Sequence, residues 1–261
     1  MSIGVFDSGV GGLTVFKSIS DRFKTVDIYY IGDTARVPYG NKSRDTIVKY
    51  SLELTEFLVK SFAVDVVVVA CNTASSYALD FLKNRYNIPI IGVVEPGCIA
   101  AINATKNRKI GVIGTQATIN SNSYANTLSA LTGGGVRVYQ KGCPLLVPLV
   151  EEGKIVHPVT EIILKEYLDD IVLEGIDTLI LGCTHYPVLK DVINRIYPDL
   201  NLVDSSVAII DYLNKINLDL NEKGLRNLFV TDESVSFENL KKLIIGDIPT
   251  FKVNLDSIEL K

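Results

Sequence analysis

Apolar stretches along this chain come in two kinds that alternate almost from end to end. The first kind is short, rich in Val, Ile and Tyr, and often apolar on both faces. It occupies 2–7, 27–32, 65–70, 88–93, 109–114, 136–140, 177–182, 200–203, 226–230 and 250–253. Such runs are expected of parallel strands covered by helices on both faces. The second kind repeats with a helical period. Residues 43–62 carry apolar side chains at 47, 48, 52, 54, 57, 58 and 62, behind Ser43 as an N-cap. Segments 73–86, 96–105, 118–131, 157–173, 186–196, 205–214 and 235–244 also read as helices. This alternation predicts βα units and an α/β fold with mainly parallel sheets.

Two of the strand-like runs have echoes later in the chain. Val64–Asp65–Val66–Val67–Val68–Val69–Ala70–Cys71–Asn72–Thr73 is matched by Ile176–Asp177–Thr178–Leu179–Ile180–Leu181–Gly182–Cys183–Thr184–His185, so that Cys183 stands 112 residues after Cys71. Ile3–Gly4–Val5–Phe6–Asp7–Ser8 is matched, 107 residues on, by Ile110–Gly111–Val112–Ile113–Gly114–Thr115. The pattern predicts two similar, pseudo-symmetric α/β domains with a cleft between them. We place the boundary at Val94–Glu95–Pro96–Gly97, giving a first domain of 1–95 plus about 206–261 and a second of 96–205. The triple Gly133–Gly134–Gly135 reads as a turn.

Composition narrows the field. The chain has 261 residues, 47% apolar and 21% charged, which is ordinary for a globular protein with a large core. A net charge of −4 without a Lys/Arg block gives no reason to expect nucleic acid. The apolar runs are far too short to cross a bilayer, so no membrane is expected. The opening MSIGVFDSG has neither a basic n-region nor a cleavage site, so no secretory signal is expected. Four cysteines (71, 98, 143, 183) without that signal point to free thiols in a reducing cytoplasm.

In open α/β sheets, ligands bind beyond the carboxyl ends of the strands. Asp7–Ser8, Cys71–Asn72–Thr73 and Cys183–Thr184–His185 all fall there. Cysteine is most often a small core residue, and Cys98 and Cys143 are read that way. Cys71 and Cys183 are not, because they recur in matching contexts. A strand end before a helix can lower a thiol pKa from its free value of about 8.5. Two thiols facing each other across a cleft suit the removal of a proton from one face of a carbon and its return to the other. No C-x-x-C or H-x-x-x-H spacing completes a zinc site, so no metal is expected. The spacing permits a Cys71–Cys183 disulfide; a reducing compartment argues against it.

The turn Asp7–Ser8–Gly9–Val10–Gly11–Gly12 matches neither GxGxxG nor the P-loop. Its glycines read as a tight turn that needs their backbone freedom, and Asp7 and Ser8 as its informative pair. In the loop 33–43, Tyr39–Gly40 could bring a phenol and a bare N–H to the cleft, while Arg36 and Lys42 read as ordinary surface residues. His185, beside Cys183, could act as an acid or orient a neighbour. His157 reads as a cap or a solvated side chain, and Glu151 and Glu152 as solvated acids.

Taken together, FDSGVGGLTV (6–15), DTARVPYGNKS (33–43), ACNTAS (70–75), GTQATINS (114–121), CPLLVPLVEEG (143–153) and GCTHYP (182–187) resemble the glutamate racemase family. The resemblance implies Cys71 and Cys183 as the acid/base thiols, with Asp7, His185 and Glu151 as further catalytic groups. It implies a substrate site lined by Asp7, Ser8, Tyr39, Gly40, Asn72, Thr73, Thr118, Thr184 and His185. It also implies glutamate as the small-molecule substrate, no cofactor, a role supplying D-glutamate for peptidoglycan, and a homodimer on family grounds. The competing readings are a racemase for aspartate or another small acid, a two-lobed small-ligand binding protein, and a dithiol redox protein.

Overall fold

The computed structural model describes residues 1–215 and 223–255. In chain order they form β1 (Ser2–Asp7), α1 (Leu13–Arg22), β2 (Asp27–Gly32), α2 (Arg44–Phe62), β3 (Val66–Val69), α3 (Asn72–Tyr77), α4 (Leu79–Arg85), β4 (Ile90–Gly92), α5 (Val94–Ala104) and β5 (Lys109–Gly114). Then come α6 (Gln116–Asn120), α7 (Ser123–Thr132), β6 (Arg137–Gly142), α8 (Leu146–Glu151), α9 (Pro158–Leu173), β7 (Thr178–Gly182), α10 (Lys190–Ile196), β8 (Asn201–Asp204), α11 (Ser205–Leu213), β9 (Arg226–Val230), α12 (Val235–Ile245) and β10 (Thr250–Lys252). Every expected strand is present, with ends displaced by at most two residues.

The strands build two wholly parallel sheets, ordered β10-β9-β2-β1-β3-β4 and β6-β5-β7-β8. The order β2-β1-β3-β4 recurs as β6-β5-β7-β8, so the echo in sequence is an echo in topology. Strands β9 and β10 extend the first sheet beyond β2. Residues 216–222 and 256–261, which the sequence reading placed in the first domain, lie outside the described residues.

Burial on both faces explains the β-branched runs. All four valines of β3 are buried, as are Ile3, Val5 and Phe6 of β1. Helix α2 covers one face of the first sheet with Leu54 and Leu58, and α1 the other with Leu13, Val15, Phe16 and Ile19. The ring of Phe16 meets that of Tyr30 edge-on at 5.8 Å between centroids. Ser43 caps α2 as expected, its Oγ accepting from Thr46 N at 3.3 Å. Helix α11 lies between α1 and α5, joining the two halves behind the sheets. Among the described residues, no helix is long and apolar enough to cross a membrane.

Several helices depart from the expected pattern. Helix α1 was not anticipated, because it starts at Gly12 with no side-chain cap to mark it. Nor was α8, a six-residue helix with Pro148 inside it. The stretch 118–131 divides into α6 and α7 at Asn122, which takes the left-handed conformation (φ 54°). The stretch 73–86 divides at Ala78, and 186–196 begins as a 3-10 turn, Tyr186–Leu189. The glycines of the β1–α1 turn do not have positive φ, contrary to the tight-turn reading. They are there for space: a Cβ on Gly12 would stand 2.3 Å from Asp7 Cβ.

Removing the Phe16 ring should cost about 3–5 kcal/mol, the usual range for a fully buried Phe cut to Ala. A Phe16→Ala urea-denaturation curve checks this, and a loss under ~1 kcal/mol would show that α1 contributes little to the core.

Candidate active site

The strand registers bring the sequence-predicted residues to one place. Phe6 pairs with Val69, so two residues further Ser8 lies beside Cys71. Gly114 pairs with Gly182, so one residue further Thr115 lies beside Cys183. Both pairs stand at strand carboxyl ends. The cavity there is lined by Ser8, Tyr39, Gly40, Cys71, Asn72 and Thr73 from the first half and by Glu151, Cys183, Thr184 and His185 from the second. It encloses ≈ 360 Å³ of space including its open mouth. Asp7 and Thr118 are not in its wall. Asp7 stands behind Thr184, whose Oγ1 donates to Asp7 Oδ1 at 3.3 Å, and Thr118 stands behind Thr73.

On the first side, Cys71 Sγ donates to Ser8 Oγ at 3.6 Å and accepts from Ala74 N at 3.5 Å, capping α3. The sequence reading expected a lowered thiol pKa. The structure gives the opposite: burial, and then the nearby Asp7 carboxylate, push Cys71 up to about 12, against the smaller effect of those two hydrogen bonds. A short helix end is outweighed by loss of water. Asp7 itself is raised from the usual carboxylate range by burial, although the charge on His185 and hydrogen bonds from Gly9, Gly12 and Thr184 oppose this.

On the second side, Cys183 Sγ lies 3.9 Å from His185 Nδ1, and His185 Nε2 lies 3.1 Å from Glu151 Oε1. Burial disfavours a charged His185, but hydrogen bonds to Cys183 and Glu151 outweigh it and hold the imidazole up to about 10. Glu151, read from sequence as a solvated acid, is therefore anchored to this relay. The two sides are unlike: a neutral thiol near a buried carboxyl faces a thiol beside an imidazolium.

The 33–43 loop supplies Val37, Pro38, Tyr39 and Gly40 to the wall. Tyr39 does not offer its phenol to the cleft, because its hydroxyl donates to Asp33. Asp33 is fully buried and also accepts from Arg36 Nε at 2.7 Å and Thr231 Oγ1 at 3.0 Å. Arg36, expected on the surface, further binds Glu53 and stacks on the Tyr50 ring at 3.9 Å. This hub fixes the loop that carries Gly40.

Sequence reasoning missed Thr115, whose hydroxyl lies 2.9 Å from Thr73 Oγ1 and 3.0 Å from Thr118 Oγ1. The echo that pairs Ser8 with Thr115 was the signal that could have found it. It also missed Val147, and missed Tyr124 and Ser205, which bind Asn72. Cys98 and Cys143 are buried and do not line the cavity. His157 caps α9, its Nδ1 accepting from Val159 N at 3.2 Å.

Known proteins share this arrangement. The profile of the Asp/Glu/Hydantoin racemase family matches residues 3–213, and the chain belongs to that family. The glutamate racemases of Persephonella marina and of Sulfurihydrogenibium sp. are 61% and 58% identical to it over 259 and 258 residues, covering 99% of each chain compared. The crystal structure of glutamate racemase from Francisella tularensis in complex with D-glutamate superposes with a TM-score of 0.89 at 36% identity, over 98% of both chains.

The charge on His185 has a sign that can be tested. At or below pH 6.5 both the folded and the unfolded chain hold its proton, and its contacts stabilise in full. Between 6.5 and about 10 only the folded chain holds it, so stability falls as pH rises, and above about 10 the contribution is gone. The urea midpoint of the parent protein should therefore drop more steeply from pH 6.5 to about 9 than that of His185→Gln. Parallel profiles would show that His185 is not held charged.

Proposed function

We propose that this protein is a glutamate racemase that interconverts L- and D-glutamate by moving the α-proton between Cys71 and Cys183. The single observation that carries the reading is the thiol pair: one cysteine from each of two topologically equivalent sheets, both opening onto one cavity.

Cys71 is kept a neutral thiol by burial and Asp7, whereas His185, held protonated beside Cys183, would stabilise negative charge on that sulfur as it acts as the base. A substrate whose α-hydrogen faces Cys183 loses it to that base. The electron pair left on the α-carbon takes the Cys71 proton from the opposite face. The enzyme is then left with a Cys71 thiolate and a Cys183 thiol, which is the form that converts the other enantiomer. The substrate ammonium entering beside Cys71 offsets the charge that Cys71 acquires. Glutamate's two carboxylates meet neutral donors, the hydroxyls of Ser8, Thr73 and Thr115. Each proton is carried by the chain's own groups, with no electron-sink cofactor or metal.

The same reading supplies D-glutamate for peptidoglycan, places the enzyme in the cytoplasm, where thiols stay reduced, and takes it as a homodimer. It divides the chain into 1–95 with about 206–261, and 96–205; the pairing of β9 with β2 supports the first of these.

Pure L- and D-glutamate incubated in D2O with no added cofactor should each gain deuterium at the α-carbon and racemise. Cys71→Ala and Cys183→Ala should each abolish racemisation in folded protein. Each should still exchange one enantiomer, and the two variants should favour opposite ones. Proton NMR of the four combinations decides it: exchange of the same enantiomer by both variants, or racemisation by either near the parent rate, would overturn the two-thiol mechanism.

A further inference from the structure

Asn72 is 2% exposed, opens α3 and faces the cavity. Its two amide atoms are treated differently. Nδ2 donates to Tyr124 Oη at 2.7 Å and, more weakly, toward Ser205 Oγ at 3.4 Å. Oδ1 is buried and has no partner. The grip on Nδ2 comes from outside the sheet that carries Asn72: Tyr124 belongs to α7 beside the second sheet, and Ser205 opens α11.

The grip is rigid. Tyr124 is fully buried, and a Cβ on Gly182 would come within 3.1 Å of its ring. Its hydroxyl and Ser205 Oγ lie 3.4 Å apart, so the two anchors also support each other. A buried amide oxygen left without a donor is costly. The Tyr124 and Ser205 hydroxyls can each donate or accept, so they hold whichever end of the amide faces them and leave the other end without a protein partner. That free end is left for the ligand. Glutamate offers both kinds of partner: its carboxylates accept and its ammonium donates.

We propose that Tyr124 and Ser205 are positioning residues: they hold the Asn72 amide across the cleft so that its free end hydrogen-bonds the substrate. The inference rests on the glutamate reading above. It ties substrate affinity to a contact between the two halves of the molecule.

The test is a double-mutant cycle in the full-length enzyme, assayed for racemisation of glutamate. Tyr124→Phe keeps the ring and removes only the hydroxyl. It should raise KM for both enantiomers about tenfold, the worth of one neutral hydrogen bond, while kcat falls less than threefold, a split that a merely structural loss would not give. Ser205→Ala should act in the same direction more weakly. In an Asn72→Ala background, Tyr124→Phe should change KM less than twofold, since nothing is left to position. Additive effects of Tyr124→Phe and Asn72→Ala, or an unchanged KM in Tyr124→Phe, would overturn the proposal. Should Tyr124→Phe fail to fold, Ser205→Ala goes through the same cycle and is judged the same way. A parent enzyme that does not racemise glutamate would overturn the glutamate reading instead, so the two failures are told apart.

Discussion

Two absent side chains set how closely the halves of this protein approach each other. At Gly11 a Cβ would stand 2.3 Å from Thr184 Oγ1 and 2.6 Å from His185 Nδ1; at Gly40 it would stand 2.6 Å from Thr115 Cβ. Backbone of the first half thus lies directly against the turn that carries Cys183 and against the cap of α6. Distances under 3 Å leave no room for even one methyl group. The Thr184–Asp7 hydrogen bond, the Thr73–Thr115 contact and the Asn72–Tyr124 bond all depend on that approach. So does the narrowness of the cavity, which brings thiols from separate sheets to one small space.

The electrostatics follow from the same closeness. Water is excluded on both sides, yet the two thiols differ in what replaces it. Cys71 has Ser8, one backbone N–H and a nearby carboxyl, and stays neutral. Cys183 has an imidazole that Glu151 holds in place and keeps charged. A symmetric fold therefore surrounds its two thiols with unlike neighbours.

Much of this was legible in the chain. The strands and the repeated order of each sheet follow from short-range apolar pattern, which a sequence displays directly. The paired thiols were legible because a repeat makes two weak signals into one strong one. What was hidden depended on contacts between residues far apart. Gly11 and Gly40 look like turn glycines until the opposing half is in place. Arg36 looks solvated until Asp33, Glu53 and Tyr50 surround it. Tyr124 and Ser205 carry no motif, and their meaning comes wholly from Asn72. The direction of the Cys71 shift was misjudged because a helix terminus is visible in sequence, whereas the depth of burial that outweighs it is not.

The masking of Cys71 also bears on chemical durability. Oxidants and alkylating electrophiles react with thiolates, not thiols. A group with a pKa of about 12 presents, at neutral pH, only about one thiolate in a hundred thousand molecules. Peroxide or a stray electrophile that reaches the empty cleft therefore meets an almost inert sulfur. Burial this deep is a safeguard of the Cys71 sulfur against irreversible oxidation and alkylation.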